Sequence, residues 1–362
     1  MTQRVNYGII SDIHENPGIV HRAINKLIIE GADKLILNGD ICPQGRSLQE
    51  SADLTEAMLV TVANQRLETY VQPGSHEPIL IYEPTIERIA AHYPNMINTI
   101  GHQKIEEKDY HLVFLPGSDI NITGGEYTLS DEKIPTGRYA GDDSTQFKPI
   151  NNWREVYSSL KEGRPVLHYH NMNDLTTLVT HPEKTVVICH VPRKFSDLKQ
   201  GIDMAKFGLV EEDFEIWTFC RGEDEMYSRY VYKESEVELK SLLEKDGFKI
   251  IESRKIPKGS IYPIESAQGI LAVRQDLPIA LKRENRGNVS LGELYNKIGI
   301  TKAVSGHFHE STHRACNRVG SHVPEDTYVK ELYWNAGHGD RGHFGLLTVN
   351  GEEVKYRNVI VD

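Results

Sequence analysis

Val5-Asn6-Tyr7-Gly8-Ile9-Ile10-Ser11-Asp12-Ile13-His14 is the stretch on which the reading of this 362-residue chain turns. Its apolar run, Val5 to Ile10, reads as a strand. Just beyond it stand Asp12 and His14, a carboxylate and an imidazole that can reach one cation. Four more strand-like runs end in the same way. Lys34-Leu35-Ile36-Leu37 leads into Gly39-Asp40, Thr69-Tyr70-Val71 into Gly74-Ser75-His76-Glu77, Val186-Val187-Ile188-Cys189 into His190, and Lys302-Ala303-Val304 into Gly306-His307-Phe308-His309. Strands running one way deliver their C-terminal ends to one edge of a sheet, where open α/β sheets build their sites. Oxygen and imidazole donors are therefore expected to converge there.

Between these runs, helical spacing predicts helices over Ile19 to Glu30, Leu48 to Ala63 and Pro84 to Ala91, with Pro84 tolerated in a first turn. Such alternation calls for right-handed crossovers and a mainly parallel inner sheet. His111 to Leu115 adds a strand, and the tail returns to strands at Val329 to Trp334, Gly345 to Val349 and Val354 to Val361. Two stretches break the rhythm. From Asp119 to Thr180, Gly, Asn, Asp and Thr are frequent, as in Thr123-Gly124-Gly125 and Gly141-Asp142-Asp143, so loops are expected to dominate. From Pro192 to Asn288 a separate α/β pattern runs: Ser235 and Glu238 form a capping box ahead of Leu239, Leu242 and Leu243, and Lys249-Ile250-Ile251 reads as a strand. Trp217, Phe219, Tyr227, Tyr230 and Tyr232 read as the core of this insertion, with a substrate-stacking cap as the alternative. The expected organisation is a catalytic domain over 1–191 and 289–362, interrupted by a cap-like subdomain over 192–288.

Forty-one Lys and Arg against 52 Asp and Glu give a formal charge of −11, which argues against a broad nucleic-acid-binding surface. Cys42, Cys189, Cys220 and Cys316 lie far apart, form no CxxC pair and read as buried free thiols. No signal-peptide pattern opens the chain and no run is long and apolar enough to span a bilayer, so the expectation is a cytoplasmic protein without a membrane partner.

The chemistry of the strand ends follows from charge. Two divalent cations about 3.5–4 Å apart need an anionic bridge. Asp40 suits that place, because Gly39 lets its backbone approach closely. Asp12 and His14 can share one ion, His307 and His309 can divide between two, and His190 supplies another imidazole. Mixed carboxylate and imidazole donors suit manganese, iron, zinc, cobalt or nickel better than calcium or magnesium.

In this order the pieces resemble the pattern of the calcineurin-like metallophosphoesterases, Asp-x-His, Gly-Asp, Gly-Asn-His-Asp/Glu, His and Gly-His-x-His. Asn335-Ala336-Gly337 is similar to that family's late Asn-Pro-Gly segment. The resemblance implies an α/β fold, a four-layered α/β/β/α sandwich with an inserted α/β subdomain. It implies two divalent transition-metal ions, manganese first. By position, Asp12, His14, Asp40 and His309 would hold the first ion, and Asp40, His190 and His307 the second. His76 would be the non-ligand histidine that stabilises the transition state or protonates the leaving oxygen, with Glu77 or another carboxylate as an orienting partner. The implied activity is phosphoester hydrolysis by a hydroxide bridging the ions, foremost on a phosphodiester, with a single-strand nuclease or a non-catalytic metal-binding scaffold as alternatives.

One position departs from the pattern. Ser75 stands where the family has a ligating Asn, so either its hydroxyl ligates, or it holds a ligating water, or the second site fills only at high metal or with substrate. Arg193 and His338 are candidate substrate contacts, the first as a phosphate clamp and the second, like His313 and His343, as a protonated imidazole. His168-Tyr169-His170 reads as a loop or surface pair. A small diester, a nucleotide and a single-stranded nucleic acid all remain as substrate classes, and the oligomeric state is left open.

Overall fold

Strand Val5–Ile10 is buried on both faces, and the architecture is built around that condition. In the computed structural model, which describes residues 4–14, 16–41, 47–119, 128–129, 133–141, 146–195, 201–221, 225–234 and 236–362, Tyr7 and Ile9 enter one hydrophobic cluster and Ile10 enters another. Leu35 and Leu37 divide from Ile36 in the same way, as do Val187 from Val186 and Ile188. Strands buried on two sides read as continuous apolar runs, which is why these segments lack clear polar alternation.

The chain is a mixed α/β protein that separates into two compact units, residues 1–204 with 285–362, and residues 205–284. In the first unit, one six-stranded sheet runs in the order Glu353–Ile360, His343–Asn350, Val5–Ile10, Lys34–Asn38, Thr69–Gln72, Met96–Asn98. Its last four strands are mutually parallel and its first two antiparallel. The second sheet runs Ala315–Cys316, Leu332–Asn335, Lys302–Ser305, Thr185–Cys189, His111–Leu115, Lys104–Glu106, again with four parallel strands at its centre. One core draws on both sheets: Tyr7, Ile9, Ile36 and Tyr70 from the first meet Leu112, Phe114, Ile188 and Trp334 from the second. Helices Val20–Ile29, Leu48–Ala63 and Ile79–His92 pack on the first sheet's other face, and Val289–Ile298 on the second's. Burying each large apolar side chain of this kind contributes about 1.5–3 kcal/mol.

Three expectations change. The third helix starts at Ile79, so Pro84 lies in its interior rather than in a first turn. The stretch after Asp119 carries a four-stranded sheet, Thr128–Leu129, Val166–Asn171, Gly137–Gly141, Phe147–Ile150, and a helix, Trp153–Lys161, capped by Asn152. Its polar composition reflects solvent-exposed strands, as in Phe147–Ile150, rather than a lack of strands. Cys220 is only partly buried, whereas Cys189 and Cys316 are buried; Cys42 and Ser235 lie outside the described residues, as do Thr123-Gly124-Gly125 and Asp142-Asp143.

The second unit has two three-stranded sheets, Ile261–Pro263, Met204–Val210, Ile279–Asn285 and Glu225–Val231, Phe214–Arg221, Lys249–Ile256, with helices Glu236–Lys245 and Ile264–Val273. Trp217 and Phe219 are buried beside Leu239 and Leu243, and Tyr230 and Tyr232 pack on a second small core. Among the described residues no helix is long and apolar enough to cross a membrane.

Trp334 fills the inter-sheet core so completely that a Cβ added at Gly345 would collide with its ring. Gly345→Ala is expected to lower stability by about 1–3 kcal/mol through overpacking, read as a drop in the urea midpoint. Trp334→Phe in the same background should recover part of the loss.

Candidate metal centre

The C-terminal ends of three neighbouring parallel strands in each sheet carry the candidate residues. Asp12 and His14 follow Val5–Ile10, Asp40 follows Lys34–Asn38, and Ser75 and His76 follow Thr69–Gln72. From the other sheet, His190 follows Thr185–Cys189, His307 and His309 follow Lys302–Ser305, and Asn335 ends its own strand. These loops are bonded to one another. Ile13 N donates to Asp40 O at 2.7 Å, Gly306 N to His190 O at 2.9 Å and His307 N to Asp12 Oδ1 at 3.0 Å. So close an approach leaves no room for side chains at the glycines: a Cβ at Gly39 would lie 2.7 Å from both Gly74 Cα and His190 Nδ1.

Asp40 is the centre of the arrangement. Its Oδ1 accepts from the backbone N–H groups of Ser75 and His76, which turns Oδ2 toward the imidazoles. His190 Nε2 lies 3.0 Å from Oδ2, His14 Nε2 3.9 Å and His76 Nε2 4.0 Å. A second convergence joins Asp12 with His14 and His309: His309 Nε2 is 3.3 Å from Asp12 Oδ1 and 3.3 Å from His14 Nε2. Three groups result that could hold metal ions, Asp12 with His14 and His309, Asp40 with His190 and His307, and His14 with Asp40 and His76.

The donor chemistry fits a cation. His190 Nδ1 lies 2.9 Å from Asn38 O, and since a carbonyl can only accept, Nδ1 carries the hydrogen and Nε2 faces Asp40. Yet Nε2 makes no hydrogen bond despite the 3.0 Å separation. Its direction misses the carboxylate, as expected of two donors aimed at a common third point. Burial alone would lower the His190 pKa, but the charges of Asp40 and Asp12 outweigh it and raise it to about 10. Burial likewise works to raise both carboxyls, and is overcome: His309 and His190 hold Asp12 below the usual range, and His190, His76 and His14 hold Asp40 well below it. His307, partly buried and beside His190, is lowered to about 3 by desolvation and by the His190 charge.

Several side chains take places that differ from their expected ones. Glu77 is not a partner of His76; its buried carboxylate accepts from Gly74 N at 2.6 Å, Ile41 N at 2.7 Å and Asp40 N at 3.2 Å, clamping two loops together. Ser75 Oγ donates to Asp40 Oδ2 at 2.9 Å. Arg193 is not presented as a phosphate clamp: it is buried, its guanidinium lies over the Phe195 and Tyr333 rings, and it bonds Asn296 Oδ1. His338 does reach the centre, stacked on His309 at 3.8 Å, but burial lowers it to about 3, so it is a neutral ring rather than a cation. His313 gives its Nε2 hydrogen to Phe344 O, and its Nδ1 faces His343 Nδ1 at 3.2 Å. His168 and His170 are neither loop nor surface residues; they stack in strand Val166–Asn171, and His168 Nδ1 contacts the buried Glu83, which also accepts from Arg138 Nε at 2.6 Å.

Sequence reasoning missed the support given by Ser11 and Asn38, and noted Asn335 only as part of a similar segment. Ser11 bonds Asp12, Asn38 Nδ2 donates to Cys189 O at 3.1 Å, and Asn335 Nδ2 donates to Gly306 O and Phe308 O, both at 3.0 Å, on either side of His307. Their one sequence signal is position: each is at a strand end beside a candidate ligand or ends a strand itself.

No protein-family model matches the chain, and no curated protein matches it. Among solved structures, the protein TT1561 of Thermus thermophilus is similar over 98% of this chain and 99% of that one, at 11% identity and a TM-score of 0.46. A second matches over 99% and 100% at 10% identity and a TM-score of 0.45.

A cation seated by Asp40 and His190 must displace the proton held on His190. Metal affinity is therefore expected to rise with pH from neutrality toward pH 10, with about one proton released per ion bound there, measurable by titration calorimetry in buffers of different ionisation enthalpy. In metal-free protein the same raised pKa adds stability that is whole below about pH 6.5 and lost as pH rises through 10, so its Tm should fall across that window.

Proposed function

We propose that the chain is a metal-dependent phosphoesterase on the calcineurin-like four-layered α/β/β/α plan, acting foremost on a phosphodiester. The observation that carries the reading is the meeting of five strand-end loops from two sheets on two buried carboxylates and five imidazoles. A core shared by both sheets, with helices on their outer faces, supports the layered plan.

Asp12, His14, Asp40 and His309 would hold one ion, and Asp40, His190 and His307 the other; their mixed donors favour manganese among the divalent transition metals. When bound, such ions lower the pKa of an attacking water and offset charge growing on phosphoryl oxygens. The chain's own residues do the rest. Asp40 presents one oxygen inward because two backbone amides hold the other. Asn38 fixes the His190 tautomer. His76, with a quarter of its side chain exposed, sits at the open side of the group. Burial lowers its pKa, partly offset by Asp40, so it starts as a neutral ring able to donate an N–H to a phosphoryl or leaving oxygen. Arg193 takes no part in this account.

A panel of bis-p-nitrophenyl phosphate, p-nitrophenyl phosphate, nucleotides and single-stranded DNA with added manganese tests the proposal; diester hydrolysis is expected, and silence on all four with two ions bound would leave a scaffold. His76→Ala should lower kcat by about 10²–10⁴ with metal content preserved, and a fully active variant would end the role given to His76. Asp40→Ala should instead lose metal by elemental analysis.

A further inference from the structure

Two short segments of the first unit, 201–204 and 285–288, are the legs on either side of residues 205–284, and both are bonded to loops that carry candidate ligands. Ser311, two residues beyond His309 and fully buried, accepts from Met204 N at 2.9 Å and lies within hydrogen-bonding reach of Gly201 O and Met204 O. Asn335, which holds the carbonyls flanking His307, also reaches Ile202 O at 3.4 Å. Asp203, fully buried, ties the legs to each other and to the segment after His190: its carboxylate accepts from Asn285 Nδ2 at 2.7 Å, Phe195 N at 2.8 Å and Gly287 N at 3.3 Å. Asn288 N donates to Pro192 O and Lys194 N to Asn288 O, both at 2.9 Å. A Cβ at Gly287 would sit against Arg193 backbone, so this join has no slack.

We infer that Asp203 and Ser311 are positioning residues that make these two legs of the first unit part of the outer support of the metal centre, so that metal occupancy and the order of the legs are linked. The inference rests on the metal-centre reading above. Residues that orient ligands from behind typically change metal affinity about 10–100-fold when removed. Linkage is also reciprocal, so metal must steady the legs if the legs steady the metal.

The test is Mn²⁺ titration of the full chain, followed by calorimetry and by amide hydrogen exchange. Ser311→Ala and Asp203→Ala should each weaken Mn²⁺ binding about tenfold or more while Asp203→Asn, which keeps an oxygen for Phe195 N and Gly287 N, restores most of it. In wild-type protein Mn²⁺ should slow exchange in peptides covering 201–204 and 285–288, and Ser311→Ala should abolish that protection. Wild-type affinity in both alanine variants, or leg peptides that exchange equally with and without Mn²⁺ while residues 306–311 are protected, would overturn the inference. Wild-type protein that binds no Mn²⁺ would remove the metal-centre reading and the inference together, a result distinct from the other two.

Discussion

Asp12 and Asp40 keep their negative charge where water does not reach them, and much of the first unit is arranged to make that tolerable. Moving a carboxylate out of water costs several kcal/mol per ion even after relaxation. The return comes from donors fixed in advance. Asp12 receives the His307 amide and the Ser11 hydroxyl, while Asp40 receives the Ser75 and His76 amides and the Ser75 hydroxyl. Imidazoles complete the neutralisation, which is why His190 is driven so far up and both carboxyls down.

Placing backbone amides so close to a carboxylate requires unusual backbone. Asp12, Asp40 and His307 have φ of 55°, 49° and 67°, in the left-handed region that non-glycine residues rarely occupy. Such residues cost about 1–3 kcal/mol each and persist only where their surroundings over-determine them. Here the surroundings are two sheets joined by one core, each ending its parallel strands at the same edge. Strain at the centre is thus held by packing between the sheets, and Glu77, bonded to both the Asp40 and Gly74 loops, is the local brace.

The strand ends were readable because parallel strands force their next residues to one edge, and the residue types there needed no tertiary information. The same logic located Leu48–Ala63 and His111–Leu115 without error. What misled was chemistry that depends on a distant partner. His168 and His170 look like surface residues until Glu83, 85 positions away from His168, supplies a buried carboxylate. Arg193 looks like a free cation until Phe195 and Tyr333 enclose it. Ser11 and Asn38 are ordinary polar residues in sequence; only their folded contacts with Asp12 and with Cys189 O show that they brace the ligand loops.

Ser75 gathers these constraints at one atom. Its amide and its hydroxyl both donate to Asp40, one to each oxygen. Without that hydroxyl the inward oxygen of Asp40 would keep its lone pairs free of a competing hydrogen bond. A cation seated by Asp40, His190 and His307 would therefore compete with the Ser75 hydroxyl for the lone pairs of Asp40 Oδ2. The serine hydroxyl thus adds a third donor to Asp40, beside the two backbone amides that hold its other oxygen.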